Sequence, residues 1–246
     1  MTTKIAIVIP ALDEVLAIRR VAEDALALGY PVYVVDDGSR DGTSEAIADL
    51  PLRIVRHATR QGKGQALRDG FAAAFADGAT AVVTLDGDGQ HAASDVPRLV
   101  AAHAREPRAL VLCARILSDG PRPALRRFAN GFADFWVSWA CGSRVLDSQC
   151  GQRLYPRVLL DAIAMPASGG FTFESEVLIE SARAGFPIAG VPIKARYHAG
   201  RRASHFRPVA DIAAITRMVS GKIVRRGLFL PGLVRSRRRG PMLIDL

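Results

Sequence analysis

Two rhythms of apolar residues alternate along the first half of the chain. Ile5 to Ile9 is a short, mostly β-branched run stopped by Pro10, which predicts a strand. Past Asp13 and Glu14, apolar residues recur at Val15, Ile18, Val21, Ala22, Ala25 and Leu26 until Gly29, the spacing of a helix that the two acids open. Val32 to Val35 predicts a second strand, a short helix follows to Leu50, and Leu52 to Val55 predicts a third strand. Gly62 to Asp77 reads as a helix with Leu67, Phe71, Ala74 and Phe75 on one face. Ala79 to Val83 predicts a fourth strand, Ser94 to Ala104 a helix, and Ala109 to Ala114 a fifth strand. Continuously apolar strands that alternate with helices across short loops predict an α/β fold, a mostly parallel sheet flanked by helices.

The rhythm changes after Ala114. From Pro121 to Cys141 the pattern predicts one long segment with Arg122, Arg126 and Arg127 at its start. Phe128, Phe132, Phe135, Trp136 and Trp139 follow at helical spacing, a stripe that suits either a core-facing helix or one lying in a membrane interface. Glu174 to Ala184 predicts a further helix and Phe186 to Ile193 a further strand. Phe206 to Arg226 is amphipathic, and Leu228 to Pro231 and the basic run Arg235 to Arg239 close the chain.

Charge divides the chain more sharply than hydropathy does. Residues 1–200 hold 22 Lys/Arg and 22 Asp/Glu, whereas residues 201–246 hold 11 basic residues and only Asp211 and Asp245, and so carry the whole net charge of +9. We therefore expect a domain over 1–200 and a basic amphipathic extension over 201–246. Such an arm attracts anionic lipid headgroups or nucleic acid. Three irregularly spaced cysteines, Cys113, Cys141 and Cys150, argue against a disulfide framework or a zinc site and suit a reducing cytosol. Met1 to Pro10 reads as a first strand, not a signal peptide, and no apolar run is long enough to predict a membrane span.

The chemistry sits where strands end. Asp86-Gly87-Asp88 follows the fourth strand, Asp36-Asp37-Gly38-Ser39 the second, Pro10 to Glu14 the first, and Arg60-Gln61-Gly62-Lys63-Gly64 the third crossover. In a parallel sheet these ends share one edge, the place where open α/β sheets bind ligands. Two carboxylates one residue apart repel unless a cation or protons neutralise them. Oxygen ligands of this kind suit Mg²⁺ or Mn²⁺, which in turn hold phosphate oxygens. Gly62-Lys63-Gly64 lacks the P-loop spacing, yet a lysine at a helix start beside free backbone N–H groups suits a diphosphate.

Val8 to Glu14, Val34-Val35-Asp36-Asp37-Gly38-Ser39-Arg40-Asp41-Gly42-Thr43, Gly62-Lys63-Gly64 and Leu85 to His91 together resemble the family 2 glycosyltransferases. The branch they are most similar to is that of the dolichyl-phosphate mannosyltransferases and bacterial polyprenyl-phosphate sugar transferases. The resemblance runs over roughly residues 4–200 and implies the GT-A fold, a Rossmann-like sheet that binds a nucleotide-diphosphate sugar. It implies that Pro10, Leu12 and Glu14 line the nucleoside pocket, with Leu12 where the family usually has Tyr or Phe. Asp37 would accept a hydrogen bond from the base, Asp36 would support its loop, and Lys63 would meet the diphosphate. Asp86 and Asp88, with Gln90, would hold the Mg²⁺ or Mn²⁺ that acts on the leaving nucleoside diphosphate.

The same resemblance assigns Arg115, Arg126, Arg127 and Asn130 to the phosphate of a lipid acceptor, with Arg201 and Arg202 in a basic loop that closes over the donor or acceptor phosphates. Asp147 to Leu154 looks like the family segment that lines the donor sugar, including Gln149, and Phe173 to Glu176 like its aromatic-acid motif. Glu176 is expected to face the site, with Glu174 on another face of the helix. The expected enzyme is an inverting, metal-dependent transferase, peripheral on the cytoplasmic face of a membrane and not dependent on nucleic acid. Two rivals stand beside it. One is transfer to a hydroxyl of a lipid or polyketide alcohol, with Asp147 or Glu176 as general base. The other is a non-catalytic nucleotide-sugar-binding scaffold.

Overall fold

The computed structural model describes residues 3–117, 124–170, 172–194 and 208–245, with the side chains of 124–129 and 208–212 left aside. Among the described residues, eight strands form one sheet: β1 (Ile5–Ala11), β2 (Val32–Asp36), β3 (Arg53–Arg56), β4 (Ala81–Thr84), β5 (Leu110–Leu117), β6 (Arg153–Pro156), β7 (Ile188–Lys194) and β8 (Met242–Leu243). Their order is β3-β2-β1-β4-β6-β5-β7-β8. Every pairing is parallel except those of β6, which runs antiparallel between β4 and β5. Strand order reverses between β1 and β4, so the carboxyl ends of β1, β2 and β4 open onto one crevice.

Alternation along the strands separates two cores. Ile5, Ile7 and Ile9 of β1 point to the side covered by α1 (Ile18–Leu26) and α3 (Val96–Arg105). Ala6 and Val8 point to the side covered by α2 (Lys63–Ala76), α4 (Ala124–Cys141), α5 (Arg157–Ala162), α6 (Thr172–Arg183) and α7 (Pro208–Val224). Both faces are buried, which is why the strands read as continuous apolar runs.

Three expectations change. The first helix begins at Ile18, not at Asp13-Glu14. The backbone N–H groups of Asp13, Glu14 and Val15 donate instead to Ser39 Oγ, Thr43 Oγ1 and Asp41 Oδ2, so loop contacts take the donors that a helix start would leave open. The antiparallel β6 and the short α5 lie where the apolar pattern predicts no element. The stretch after residue 207 is folded onto the domain. Ile215, Val219 and Ile223 of α7 join the second core, α8 (Leu230–Arg238) packs on α4, and β8 extends the sheet beside β7. On α4 itself Ala133, Val137 and Ala140 form the buried face, while Phe135, Trp136 and Trp139 make a half-buried ring cluster on its flank.

Candidate active site

The loops after β1 and β2 are stapled together by short polar side chains. Besides the bonds at 13–15, Asp13 Oδ1 accepts the Arg40 N–H at 2.9 Å. Asp36 is fully buried and takes the Ser39 N–H, the Ser44 hydroxyl and, at 3.5 Å, Arg56. These contacts hold the loop, so Asp36 supports the cleft beside it from behind and does not line it. Asp37 accepts the N–H groups of Gln61 and Gly62, each at 2.7 Å, and faces His57 Nδ1 at 2.8 Å. His57 Nε2 lies 3.0 Å from Asp69. The result is a cleft of about 650 Å³ whose walls include Leu12, Gly38, Arg40, His57 and Arg60.

At the end of β4 the two acids meet a lysine. Lys63, the first residue of α2, places its Nζ 2.7 Å from Asp86 Oδ1 and 3.0 Å from Glu174 Oε2. His91 Nε2 stands 3.3 Å from Asp86 Oδ2. Burial works against the Lys63 ammonium, but Asp86 and Glu174 outweigh it and raise its pKa above the ordinary lysine range. Burial likewise opposes ionised Asp86, yet Lys63 and His91 hold it below the usual carboxylate range. Asp88 moves the other way, pushed up by burial and by the charge of Asp86. Gln90 grips Asp88 through its backbone N–H at 2.9 Å and its side-chain amide at 2.8 Å. Gly151 presses against this group: a Cβ there would lie 2.5 Å from Asp86 Oδ2 and 2.8 Å from Oδ1.

Glu174 and Glu176 exchange their expected places. Glu174 is buried against Lys63, and its Oε1 has no hydrogen-bond partner among the described residues. Glu176 is drawn to Lys222 of α7 at 2.7 Å, and that partner holds its carboxyl below the ordinary range against the effect of burial. The two acids, two residues apart on α6, point to different neighbours, and only Glu174 reaches the Asp86 group.

Arg115 and Asp147 form a bidentate pair, Nε to Oδ2 and Nη2 to Oδ1, both at 2.6 Å. Burial would raise the Asp147 carboxyl, but the guanidinium overrides it and lowers the pKa. A carboxylate whose two oxygens are both engaged by one guanidinium is poorly placed to take a proton from a substrate, which argues against Asp147 as a general base. Asp147 has left-handed backbone, φ 52, and the turn is secured by Asp134 of α4, which accepts the N–H groups of Asp147 and Ser148. Gln149 sits beside Ser148 and Ser175, 3.3 Å from each hydroxyl. Arg153 is fully buried and donates to the carbonyls of Cys150, Ser148 and Glu174 at 2.7–2.8 Å, locking this loop to the start of α6.

Pro10 does not stop β1, which runs on to Ala11, and its carbonyl faces Gly87; Glu14 lies in the loop between β1 and α1, and Asn130 is half-buried on α4. Arg126 and Arg127 fall in the first turn of α4 with side chains outside the described set, and Arg201 and Arg202 lie outside the described residues. The motifs contain His91 and Glu174 but do not show that they meet the Asp86 group, nor that Arg153 is buried beneath the loop, and Asp134 carries no local signal. Among the described residues no three His, Cys, Asp or Glu side chains build a metal cage. The Asp86/Asp88 pair still fits a hard divalent ion of the Mg²⁺ type, which takes one or two carboxylates and completes its shell with phosphates and water. Asp88 is pushed up first by burial and then by the charge of Asp86, and a bound cation would offset the second of these.

Residues 6–178 match the model of the family described as Glycosyl transferase family 2. An undecaprenyl-phosphate mannosyltransferase of Micrococcus luteus is 30% identical over 172 residues, 66% of this chain and 70% of that protein. A UDP-N-acetylglucosamine–dolichyl-phosphate N-acetylglucosaminyltransferase of Methanococcus voltae is 26% identical over 215 residues, 78% of this chain and 86% of that one. The crystal structure of glucosyl-3-phosphoglycerate synthase from Mycobacterium tuberculosis, in complex with Mn²⁺, UDP and glucosyl-3-phosphoglycerate, shares the fold. Its TM-score is 0.67 at 24% identity, over 91% of this chain and 80% of that one.

Proposed function

Because the chain belongs to glycosyltransferase family 2, we propose that it moves a sugar from a nucleoside diphosphate to the phosphate of a polyprenyl lipid, with inversion at the anomeric carbon. The nucleoside enters the cleft between Leu12 and His57, and Asp37 orders the Gln61-Gly62 backbone on its far wall. Asp86 and Asp88, with Gln90 as a further oxygen donor, would hold a Mg²⁺ or Mn²⁺ ion, which when bound offsets the charge that builds on the leaving diphosphate. Lys63 adds a second positive charge at the same point. Glu174 Oε1, buried and unpartnered, is suited to accept a hydroxyl of the donor sugar, and Gln149 lies beside it on the same loop-helix junction.

The observation that carries the acceptor assignment is the Arg115–Asp147 pair. It fixes a guanidinium at the end of β5, and the next two residues, Ile116 and Leu117, are exposed apolar side chains. A cation followed by an apolar surface matches a phosphate with a prenyl tail. Asn130, Arg126 and Arg127 of α4, and Arg201 and Arg202 beyond it, complete the proposed anion site from the sequence. A phosphate acceptor is already ionised and needs no base, in keeping with Asp147 tied to Arg115 and Glu176 to Lys222. Both relatives act, by name, on polyprenyl-type phosphates. The acceptor lies in a bilayer, so the enzyme works at a membrane surface, on the side where the donor and three unpaired thiols are expected, the cytoplasmic leaflet. Among the described residues no helix is long and apolar enough to cross a membrane.

The test is a panel of nucleotide sugars with Mg²⁺ or Mn²⁺, offered with a polyprenyl phosphate or the matching prenol. Transfer to the phosphate alone is expected, and Asp86→Asn/Asp88→Asn is expected to abolish it. Transfer to the prenol, or an unimpaired double variant, refutes the assignment.

A further inference from the structure

Helix α8 is amphipathic in the reverse of the usual sense. A surface helix ordinarily turns its apolar side chains inward. In α8 the buried residues are Gly232 and Ser236, four apart. Leu230 and Val234, also four apart, lie on the opposite side of the helical wheel and are 58% and 47% exposed. Just upstream, Val224 at the end of α7 and Leu228 in the connection are 62% and 51% exposed.

This elbow is held in place. Leu228 and Phe229 both adopt left-handed backbone, φ 63 and 38, which costs a side-chain-bearing residue energy and persists only where neighbours enforce it. Trp139 Nε1 of α4 donates to the carbonyls of both residues. The Phe229 ring carries the Arg226 guanidinium 3.4 Å and the Arg235 guanidinium 5.4 Å from its centroid. A Cβ on Gly232 would lie 2.0 Å from that ring, so glycine is what lets α8 settle on it. The contacts fix the elbow so that its leucines and valines face away from the protein.

Charge identifies what covers them. Arg225, Arg237, Arg238 and Arg239 are all exposed around the elbow. A second copy meeting this face by a twofold axis would set arginine against arginine. An anionic sheet meets both requirements, because arginine stems lie along apolar surface while their heads reach phosphates. We propose that the α7–α8 elbow docks on an anionic lipid bilayer, with Val224, Leu228, Leu230 and Val234 pressed into the headgroup layer. This deepens the membrane setting of the proposed function but does not depend on which acceptor is used.

The experiment is co-sedimentation of the full chain with vesicles of phosphatidylcholine, with and without phosphatidylglycerol. Binding to the mixed vesicles is expected. Leu230→Glu/Val234→Glu is expected to weaken it about tenfold or more, and Arg237→Gln/Arg238→Gln/Arg239→Gln to weaken it comparably. Leu228→Ser, a milder change, should give a smaller loss in the same direction. All three variants should keep wild-type UDP binding, since no changed residue touches the donor site; Arg237 also stacks on Phe135 of α4, and UDP binding checks that its loss leaves the fold intact. Unchanged binding by the Glu variant overturns the proposal, as does a dimer that the same substitutions dissolve. Turnover of a water-soluble short prenyl phosphate without vesicles tests the transfer reaction separately: its absence refutes the function above and leaves docking standing.

Discussion

Gly151→Ala offers a narrow probe of the donor site. Gly151 has no left-handed backbone, so alanine strains nothing in the main chain. The new methyl would nevertheless start 2.5 Å from Asp86 Oδ2, where ordinary contact begins near 3.4 Å. The backbone cannot yield easily, because Thr84 Oγ1 donates to the Gly151 carbonyl at 2.6 Å and ties the loop to β4. The carboxylate must therefore retreat by just under 1 Å from the position, 2.7 Å from Lys63, in which it would hold the metal. A misplacement of that size costs a reaction about 10²-fold, or about 2.7 kcal/mol of transition-state stabilisation. Steady-state kcat/KM with a saturating divalent ion should fall by about that factor. The melting temperature should change little, since Gly→Ala also lowers the entropy of the unfolded chain by about 0.4–1 kcal/mol. Binding of the free nucleoside, which uses the cleft at Leu12 and His57, should be unaffected. A variant within about threefold of wild type, well short of the misplacement penalty, would show that Asp86 is not positioned as argued.

Two further outcomes follow from the charges. In Glu174→Gln the Lys63 ammonium loses the charge of Glu174 and leans more on Asp86, and the Mn²⁺ concentration for half-maximal donor binding, read by calorimetry, should rise about tenfold (~1.4 kcal/mol); no rise would mean that Lys63 and the ion do not compete. Asp147 has a folded pKa below its ordinary value of 3.8, so the stability it contributes is present above that pH and is lost as pH falls through the lowered value. In Arg115→Leu the same carboxylate is buried without a cation, its pKa rises instead, and acidification from neutrality toward pH about 4 should then stabilise the protein. Melting curves against pH that run parallel for the two proteins would contradict the pairing.

The strand-end loops were legible because their chemistry is local. A β-branched run, a stop and an acid name an edge of the sheet whatever packs on it. Choosing Glu174 over Glu176 was not legible, because both lie on one helix and only the distant Lys63 and Lys222 separate them. β6 was hidden for a related reason. Its first residue, Arg153, looks like a surface charge, yet it is fully buried and satisfied by three carbonyls that only the folded loop supplies. α8 was hidden by composition, since Pro231, Gly232 and a run of arginines resemble a solvated tail until Phe229 and Trp139 give them something to rest on.

The reversed strand β6 has a mechanical consequence. The segment leading into it is held at one end by Asp134, which clasps the Asp147 and Ser148 amides, and bears at the other on Asp86 through Gly151. Under the proposed function this strut, a few peptide bonds long, joins the helix that would border the acceptor to the carboxylate that would serve the donor. A push at one end would then reach the other, and both reactants would be felt through one lever.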